Sequence, residues 1–238
     1  MIARRSLVAL GLGVLGVLAV EPARASFHLM QIEQVSGAVC GGVSEQAIQL
    51  RMRALGQNLV ASARLNVRDA AGANPVLLLN ITANVANSAA GTRILLVSSS
   101  FAAAGHGPTA DFTLTSPIPA SYLAAGRLTF EDDFGTIYWS LAWGGAGYTG
   151  TNTGAIDNDA DGNFNPPFGS PLANSLSQAI LFPGTAGALS TNNAADYVLT
   201  AAEPTFTNNA GSSAGLPDCI FGDSFESGDL SAWSVVVP

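Results

Sequence analysis

Hydrophobic and polar side chains alternate along short segments of the chain. In residues 46–53, Ile48 and Leu50 lie on one face of an extended strand. Gln49 and Arg51 lie on the other face. Period-two alternation is typical of a β-strand with one buried and one solvated face. The pattern predicts strands over 28–35, 46–53, 64–68, 76–82, 93–97, 127–131, 137–143, 175–181 and 196–199.

Turn and helix signals complete the predicted fold. Residues 69–72 read Asp-Ala-Ala-Gly, which indicates a hairpin turn because glycine adopts the positive φ that such turns need. Helical character is confined to single turns at 99–104 and 120–124. Many short strands with few helices predict an all-β protein, an immunoglobulin-like antiparallel β-sandwich.

The first 25 residues have the three parts of a secretory signal peptide. Arg4 and Arg5 form a positive region, residues 7–20 an uncharged apolar region, and Ala23-Arg24-Ala25 a small-residue cleavage site. The apolar region is shorter than the roughly 20 residues of a membrane-spanning helix. We therefore predict a signal peptide over 1–25, with cleavage after Ala25. The expected product is secreted, to the extracellular space or cell surface, and keeps no integral membrane segment.

The charge of the chain excludes nucleic acid as a partner. The chain of 238 residues has 17 acidic and 9 basic side chains, and its net charge is −8. Removing residues 1–25 takes away three arginines and one glutamate, which changes the net charge from −8 to −10. Binding to nucleic acid needs clustered Lys and Arg, and this sequence has no basic run.

Composition divides the remaining chain into three parts. Residues 26–206 carry the predicted strands and form the β-sandwich domain. Residues 207–218 are rich in Asn, Gly, Ser and Ala, which predicts a flexible linker. Residues 219–238 form a C-terminal segment of different character. Cys40 and Cys219 both remain after cleavage, where a disulfide is allowed, and the sequence leaves open whether they are bridged or free.

Five segments share a family resemblance: 30–35 (MQIEQV), 47–50 (AIQL), 65–72 (LNVRDAAG), 174–178 (NSLSQ) and 202–208 (AEPTFTN). In this order they resemble motifs of the lamin-tail-like domain, an immunoglobulin-like β-sandwich of nuclear lamins and secreted bacterial proteins. Gln49, Gln178 and Phe206 stand where that family usually has Glu, Arg and Pro. The resemblance implies an interaction or structural module rather than an enzyme.

The C-terminal segment resembles a short ending of the type FxDGFESGDxSxWS, which otherwise unrelated secreted bacterial proteins share. Here it begins at Cys219, and Ser224 stands where Gly is usual. The resemblance implies a sorting or processing signal, or a small docking element. The alternative is a frayed acidic terminus.

The most specific local pattern is Asp157-Asn158-Asp159-Ala160-Asp161-Gly162-Asn163. Carboxylates at alternate positions before a glycine reproduce the first half of an EF-hand loop. The pattern predicts a Ca²⁺ site with side-chain ligands Asp157, Asp159 and Asp161 and the Asn163 carbonyl as a fourth ligand. Position 12 of an EF-hand loop is normally a bidentate Glu, and here it is Phe168. We therefore expect weak Ca²⁺ binding, with a dissociation constant of about 10⁻⁴–10⁻³ M. The alternative is a surface loop of Asx turns without an ion.

Residues 131–148 combine acidic and aromatic side chains. If Glu131, Asp133 and Trp143 line one cleft, they suit a secreted hydrolase or a carbohydrate-binding accessory protein. Core packing of the aromatic residues is the competing interpretation. Residues 211–215 spell GSSAG, but no histidine follows Ser213, so no catalytic residue is assigned.

The sequence as a whole predicts an exported, non-enzymatic β-sandwich that acts as an interaction or structural module. The expected partner is a protein or a cell-surface glycan of unknown identity. Weakly bound Ca²⁺ is the one candidate cofactor.

Overall fold

The computed structural model describes residues 27–172, 177–201, 203–217 and 219. The predicted signal peptide over 1–25 and residues 220–238 of the C-terminal segment lie outside the described residues. The strands are β1 Met30–Ser36, β2 Ala47–Met52, β3 Ala63–Arg68, β4 Val76–Asn80, β5 Arg93–Val97, β6 Phe112–Thr113, β7 Gly126–Asp132, β8 Ile137–Trp143, β9 Ile180–Leu181, β10 Val198–Leu199, β11 Thr205–Thr207 and β12 Ser213–Gly215. The helices are α1 Ser99–Ala103 and α2 Asn193–Asp196, with single 3₁₀ turns at Ala120–Tyr122 and Gly145–Gly147.

Two sheets pack face to face around the main core. One has the strand order β10-β9-β1-β2-β5-β6 and the other the order β4-β3-β7-β8. Pairing is antiparallel except between β5 and β6. Ile32 and Leu50 from the first sheet share a buried cluster with Leu65, Leu128 and Trp139 from the second. This arrangement confirms the predicted all-β antiparallel sandwich. No helix in the described part of the chain is long and apolar enough to cross a membrane.

Most predicted strands form within one or two residues of their expected bounds. The predicted turn also forms, since Gly72 has φ 70° and the Asp69 carboxylate accepts hydrogen bonds from the backbone of Ala71 and Ala73. The predicted strand 175–181 shortens to β9 within its described part. Strands β6, β11 and β12 lie outside the predicted strands, because two or three residues are too few to show an alternation.

The predicted solvated face of β1 and β2 is wrong. Both strands are buried along their whole length, although their outward side chains are polar. Residues 184–188 and β11 lie over this outer face. Arg51 donates to the carbonyls of Gly184 and Thr185, and the backbone of Thr207 donates to Gln49. The alternation correctly identified the strands but not the second layer that covers them.

Glu33 is the centre of a buried charge network on this covered face. Its side chain is 3% exposed, at a register shift between β1 and β2. One carboxylate oxygen lies 2.7 Å from Arg51 Nη1, and the other accepts from Arg93 Nε at 2.7 Å and Gln49 Nε2 at 2.8 Å. Burial lowers the pKa of Arg51, and the charge of Glu33 opposes that shift. The carboxylate therefore compensates two partly desolvated guanidinium groups.

The predicted flexible linker over 207–218 is wrong for its described part, 207–217. Strands β11 and β12 form a hairpin, and Phe206 and Leu216 at its base are buried against Leu95 and Val97 in a second, smaller core. The Asn-, Gly- and Ser-rich composition belongs to the hairpin turn, where Asn208 accepts a hydrogen bond from Ser212. The described domain therefore continues to the end of this hairpin.

Cys40 and Cys219 form a disulfide with a Cα–Cα distance of 5.4 Å. Cys40 lies in the connection between β1 and β2, and the bridge spans a sequence separation of 179 residues. It ties the chain that follows the β11–β12 hairpin back to the start of the sandwich. The structure thereby decides between the two alternatives that the sequence left open.

We expect the double substitution Cys40→Ser and Cys219→Ser to lower the free energy of unfolding by up to about 5 kcal/mol, because a long closed loop restricts the unfolded chain. Urea unfolding monitored by tryptophan fluorescence measures the change. Dithiothreitol should shift the midpoint of the wild type to lower urea and leave that of the variant unchanged. Equal midpoints for wild type and variant would show that the bridge adds no stability.

We expect Glu33→Gln to lower the free energy of unfolding by about 3–5 kcal/mol, because it leaves two arginines at a covered interface without a negative partner. The same change at the exposed Glu203 is the matched control and should leave the unfolding midpoint within error of wild type. Chemical unfolding of the three proteins side by side provides the comparison. A midpoint for Glu33→Gln equal to that of Glu203→Gln would contradict the role given to the network.

Candidate functional site

The loop over 157–163 is a series of Asx turns. The carboxylates of Asp159 and Asp161 each accept from the backbone two residues further on, at Asp161 and Asn163. The Asn163 side chain accepts from the backbone of Asn165 in the same way. Gly162, with φ 71°, provides the sharp bend. The spacing that predicted metal ligands thus produces local caps of the backbone.

The loop is held to the sandwich by the residue between the first two predicted ligands. Asn158 is buried and donates to the carbonyls of His28 and Tyr138 at 2.7 and 2.8 Å. Arg53 donates to the Asp157 carbonyl at 2.6 Å and to the Asn158 side chain at 2.8 Å. These contacts fix the base of the loop next to the starts of β1 and β8.

The four predicted ligands do not all meet. The carboxylate of Asp157 is directed to His28, at 3.9 Å from its Nε2. Asp159 and Asp161, in contrast, interact through their side chains. Among the described residues, no group of three or more His, Cys, Asp or Glu side chains is arranged to hold a metal ion. The carboxylate of Asp157 therefore has a different partner from the Asp159 and Asp161 carboxylates, which lie next to each other.

Asp159 is the unusual member of this pair. It is 1% exposed, and its Oδ2 is buried without a hydrogen-bond partner. Burial raises its pKa, and the neighbouring Asp161 carboxylate adds to the shift. Hydrogen bonding, first from the backbone of Asn163, lowers the pKa of the exposed Asp161. A carboxylate oxygen left unpaired beside a second carboxylate is a position that a cation would stabilise.

The acidic and aromatic residues of 131–148 do not form one cleft. Trp139 and Trp143 are 0% exposed. Their indole nitrogens donate to the hydroxyl of Tyr197 and to the carbonyl of Tyr122. Core packing is therefore the role of both tryptophans, and Trp143 does not line an open cleft with Glu131 and Asp133.

The acidic residues before them have two different environments. Asp132 accepts from the backbone of Phe134 and Thr136 and so caps the β7–β8 turn. Glu131 is 3% exposed on the outer face of β7, where Asn66 donates to it and Arg68 lies 4.0 Å away. Burial raises the pKa of Glu131, and the surrounding arginines oppose that shift. Neither arrangement places an acid and a base across an open substrate site.

Two adjoining clefts were not predicted from the sequence. One, of about 430 Å³, lies between residues 83–87 and the pair Asp111 and Phe112, and the other, of about 400 Å³, continues along the β11–β12 hairpin. Asn87 and Asn209 line both. Burial raises the pKa of Asp111, whose carboxylate accepts from the backbone of Leu95 and Asn209. Their walls come from segments far apart in the chain, so no local pattern announces them.

His106 also has a partner that the sequence did not indicate. Its Nε2 lies 2.9 Å from Glu45 Oε2, and Phe101 packs against its ring edge-on. Glu45 precedes β2, whereas His106 follows α1, so the contact depends on the fold. The pair packs beside the disulfide-bearing connection and contacts no serine or cysteine nucleophile that the structure describes.

Comparison of the chain with protein-family models, curated proteins and solved structures finds no match. The function proposed below therefore depends on the residues and geometry described above.

Proposed function

We propose that this protein is an exported, non-enzymatic β-sandwich that binds a protein or glycan partner outside the cell or on its surface. The Cys40–Cys219 disulfide is the observation that carries the export proposal. Disulfides persist in oxidising compartments and are rare where thiols are kept reduced. The bridge joins the two ends of the described domain, and the signal-peptide pattern of residues 1–25 agrees with the same compartment.

The proposed class of module is the lamin-tail-like domain. Its support is the order of the sequence motifs and the position of three of them in the sandwich. The segments 30–35 and 47–50 lie within β1 and β2, and the segment 65–72 covers β3 and its hairpin turn. The C-terminal segment is proposed to act as a sorting signal. Its first residue, Cys219, is fastened to the domain by the disulfide.

We expect the exported protein to begin at Ser26. Expression of the full chain in a bacterial host, followed by fractionation and intact mass measurement, tests this directly. Replacing Ala23 and Ala25 with Asp should block cleavage, because the processing enzyme needs small residues at these two positions. Recovery of the wild type in the cytosol with residues 1–25 still attached would contradict the export proposal.

The calcium proposal narrows to Asp159 and Asp161. An ion there would pair with the buried Asp159 Oδ2 and relieve the repulsion between two neighbouring carboxylates. Two carboxylates without a bidentate Glu give weak binding, about 10⁻⁴–10⁻³ M. Calcium in this position would brace the loop that Arg53 and Asn158 hold to the sandwich.

We expect millimolar Ca²⁺ to raise the melting temperature of the wild type and to leave that of Asp159→Asn unchanged. A carboxyl whose pKa is raised in the folded state destabilises the fold once pH exceeds its unfolded pKa. Without calcium at pH 7, Asp159→Asn should therefore melt at a higher temperature than the wild type. Asp133→Asn, which changes an exposed carboxylate of the β7–β8 turn, is the matched control. The site would be disproved if calcium shifts the wild type and Asp159→Asn equally, or shifts neither.

A further inference from the structure

The two adjoining clefts share a wall that the fold holds rigidly. The side chain of Asn209 accepts a hydrogen bond from the backbone of Asn87 at 2.7 Å and donates to the carbonyls of Asn87 and Arg93, both at 3.1 Å. Asn209 is 4% exposed, so these bonds are made inside the protein. A wall fixed in this way is typical of a ligand site that is formed before the ligand binds. We call the two clefts together, lined by residues 83–87, 90–93, 111–112, 207–211 and 213, the paired cleft.

The lining of the first cleft includes an apolar surface. Val85 and Phe112 line this cleft, and both are partly buried against the main core. Two hydrogen bonds hold Val85 to Asn58, one from the Val85 backbone nitrogen to the Asn58 carbonyl at 3.1 Å and one from the Asn58 side chain to the Val85 carbonyl at 2.9 Å. The cleft therefore presents a fixed apolar surface to a ligand.

Asp111 supplies a hydrogen-bond acceptor to the first cleft. Its Oδ2 accepts from the backbone nitrogens of Leu95 and Asn209 at 2.8 and 2.9 Å. Its Oδ1 accepts no hydrogen bond from any residue that the structure describes. Because one oxygen fixes the carboxylate, the other is a positioned anionic acceptor, and hydrogen bonds to ionised acceptors are stronger than those to neutral ones.

Two side-chain amides supply donors to the same cleft. The Oδ1 atoms of Asn84 and Asn87 accept from the backbone of Ala61 and Ala89 at 2.9 and 3.2 Å. Their Nδ2 groups, each with two N–H donors, have no hydrogen-bond acceptor in the described part of the chain. The first cleft therefore places donors and an acceptor around an apolar surface.

The second cleft is polar, and the charge of its one arginine is compensated. Arg93 donates from Nε and Nη2 to the two carboxylate oxygens of Glu33 at 2.7 and 3.0 Å. The Arg93 side chain is 36% exposed, and its Nη1 has no partner within the described ranges. The hydroxyls of Thr207 and Ser213, 2.8 Å apart, add groups that both donate and accept. The second cleft therefore continues the mixed donor and acceptor lining of the first.

We propose that the paired cleft binds a neutral oligosaccharide, with consecutive sugar units in the two clefts. The inference rests on the proposed function and identifies the partner as a glycan. A sugar ring combines C–H groups, which contact apolar surfaces, with hydroxyls that both donate and accept hydrogen bonds. Val85 and Phe112 suit the C–H groups. The Asp111 Oδ1 and the Nδ2 groups of Asn84 and Asn87 suit the hydroxyls.

The lining of the paired cleft disfavours other classes of ligand. The Asp111 carboxylate and the net charge of −8 repel an anionic ligand. A lipid chain would remove water from the amides of Asn84 and Asn87 without giving them partners. A peptide that extends a sheet needs a row of free backbone groups, whereas the free polar groups of Asp111, Asn84 and Arg93 belong to side chains.

The test applies the purified chain from Ser26 onward to an array of neutral oligosaccharides of hexoses and N-acetylhexosamines, with uronic-acid oligosaccharides beside them. We expect neutral glycans to retain the wild type and uronic-acid glycans to retain it less. Titration calorimetry with a retained glycan then compares variants. Asp111→Asn keeps one oxygen for the two backbone nitrogens and should lower the association constant about tenfold or more, because an anionic acceptor becomes a donor. Asn84→Asp keeps the oxygen that accepts from Ala61, removes the donor and should have a similar effect.

The matched control is Asp133→Asn, the same substitution at an exposed carboxylate outside the paired cleft. It should bind the glycan like the wild type, and melting curves recorded in parallel verify that each variant is folded. The proposal is overturned if no neutral glycan retains the wild type, or if uronic-acid glycans retain it more strongly. It is also overturned if Asp111→Asn and Asn84→Asp bind as tightly as Asp133→Asn. Such results would remove only the glycan site, because the mass of the secreted chain tests the export proposal separately.

Discussion

The fold depends on a carboxylate that must not lose its partners. Glu33 lies on the outer face of the first sheet, where an ionised group would normally face water. Covering it is favourable only because Arg51, Arg93 and Gln49 satisfy both of its oxygens. Arg51 and Gln49 then reach onward to the two segments that cover the sheet, at Gly184 and Thr207. One network therefore joins the sheet to its second layer.

That second layer determines where the functional surfaces lie. Residues 184–188 return along β1 and β2, and the β11–β12 hairpin adds a small apolar core around Phe206. The disulfide then fixes the end of this return to the β1–β2 connection. As a result the two ends of the sandwich differ. One presents exposed apolar side chains such as Phe134 and the Asp159–Asp161 pair, and the other presents the Cys40–Cys219 bridge.

Short sequence patterns predicted the elements that depend on neighbouring residues alone. The strands followed from alternation, and the turn at 69–72 followed from Asp and Gly. The errors share a different cause. Gln31 and Arg51 looked solvated because polar residues usually are, and residues 207–217 looked flexible because Asn, Gly and Ser usually form loops. In both places burial comes from contacts with residues more than 100 positions away, and no short window contains that information.

The candidate site illustrates the same division. Alternate carboxylates in 157–163 were enough to single out the loop, since the chemistry of Asp and Asn is written in the sequence. The geometry of these carboxylates could not be predicted from the sequence. Each side chain can bind its own backbone, a neighbour such as His28, or an ion, and the fold determines which. The sequence alone determined the strands, the acidity and the leader-like first 25 residues. Tertiary structure decided which polar groups are buried, that Cys40 meets Cys219, and that Trp139 and Trp143 belong to the core. These outcomes depend on distances between remote segments, which only the packed chain defines.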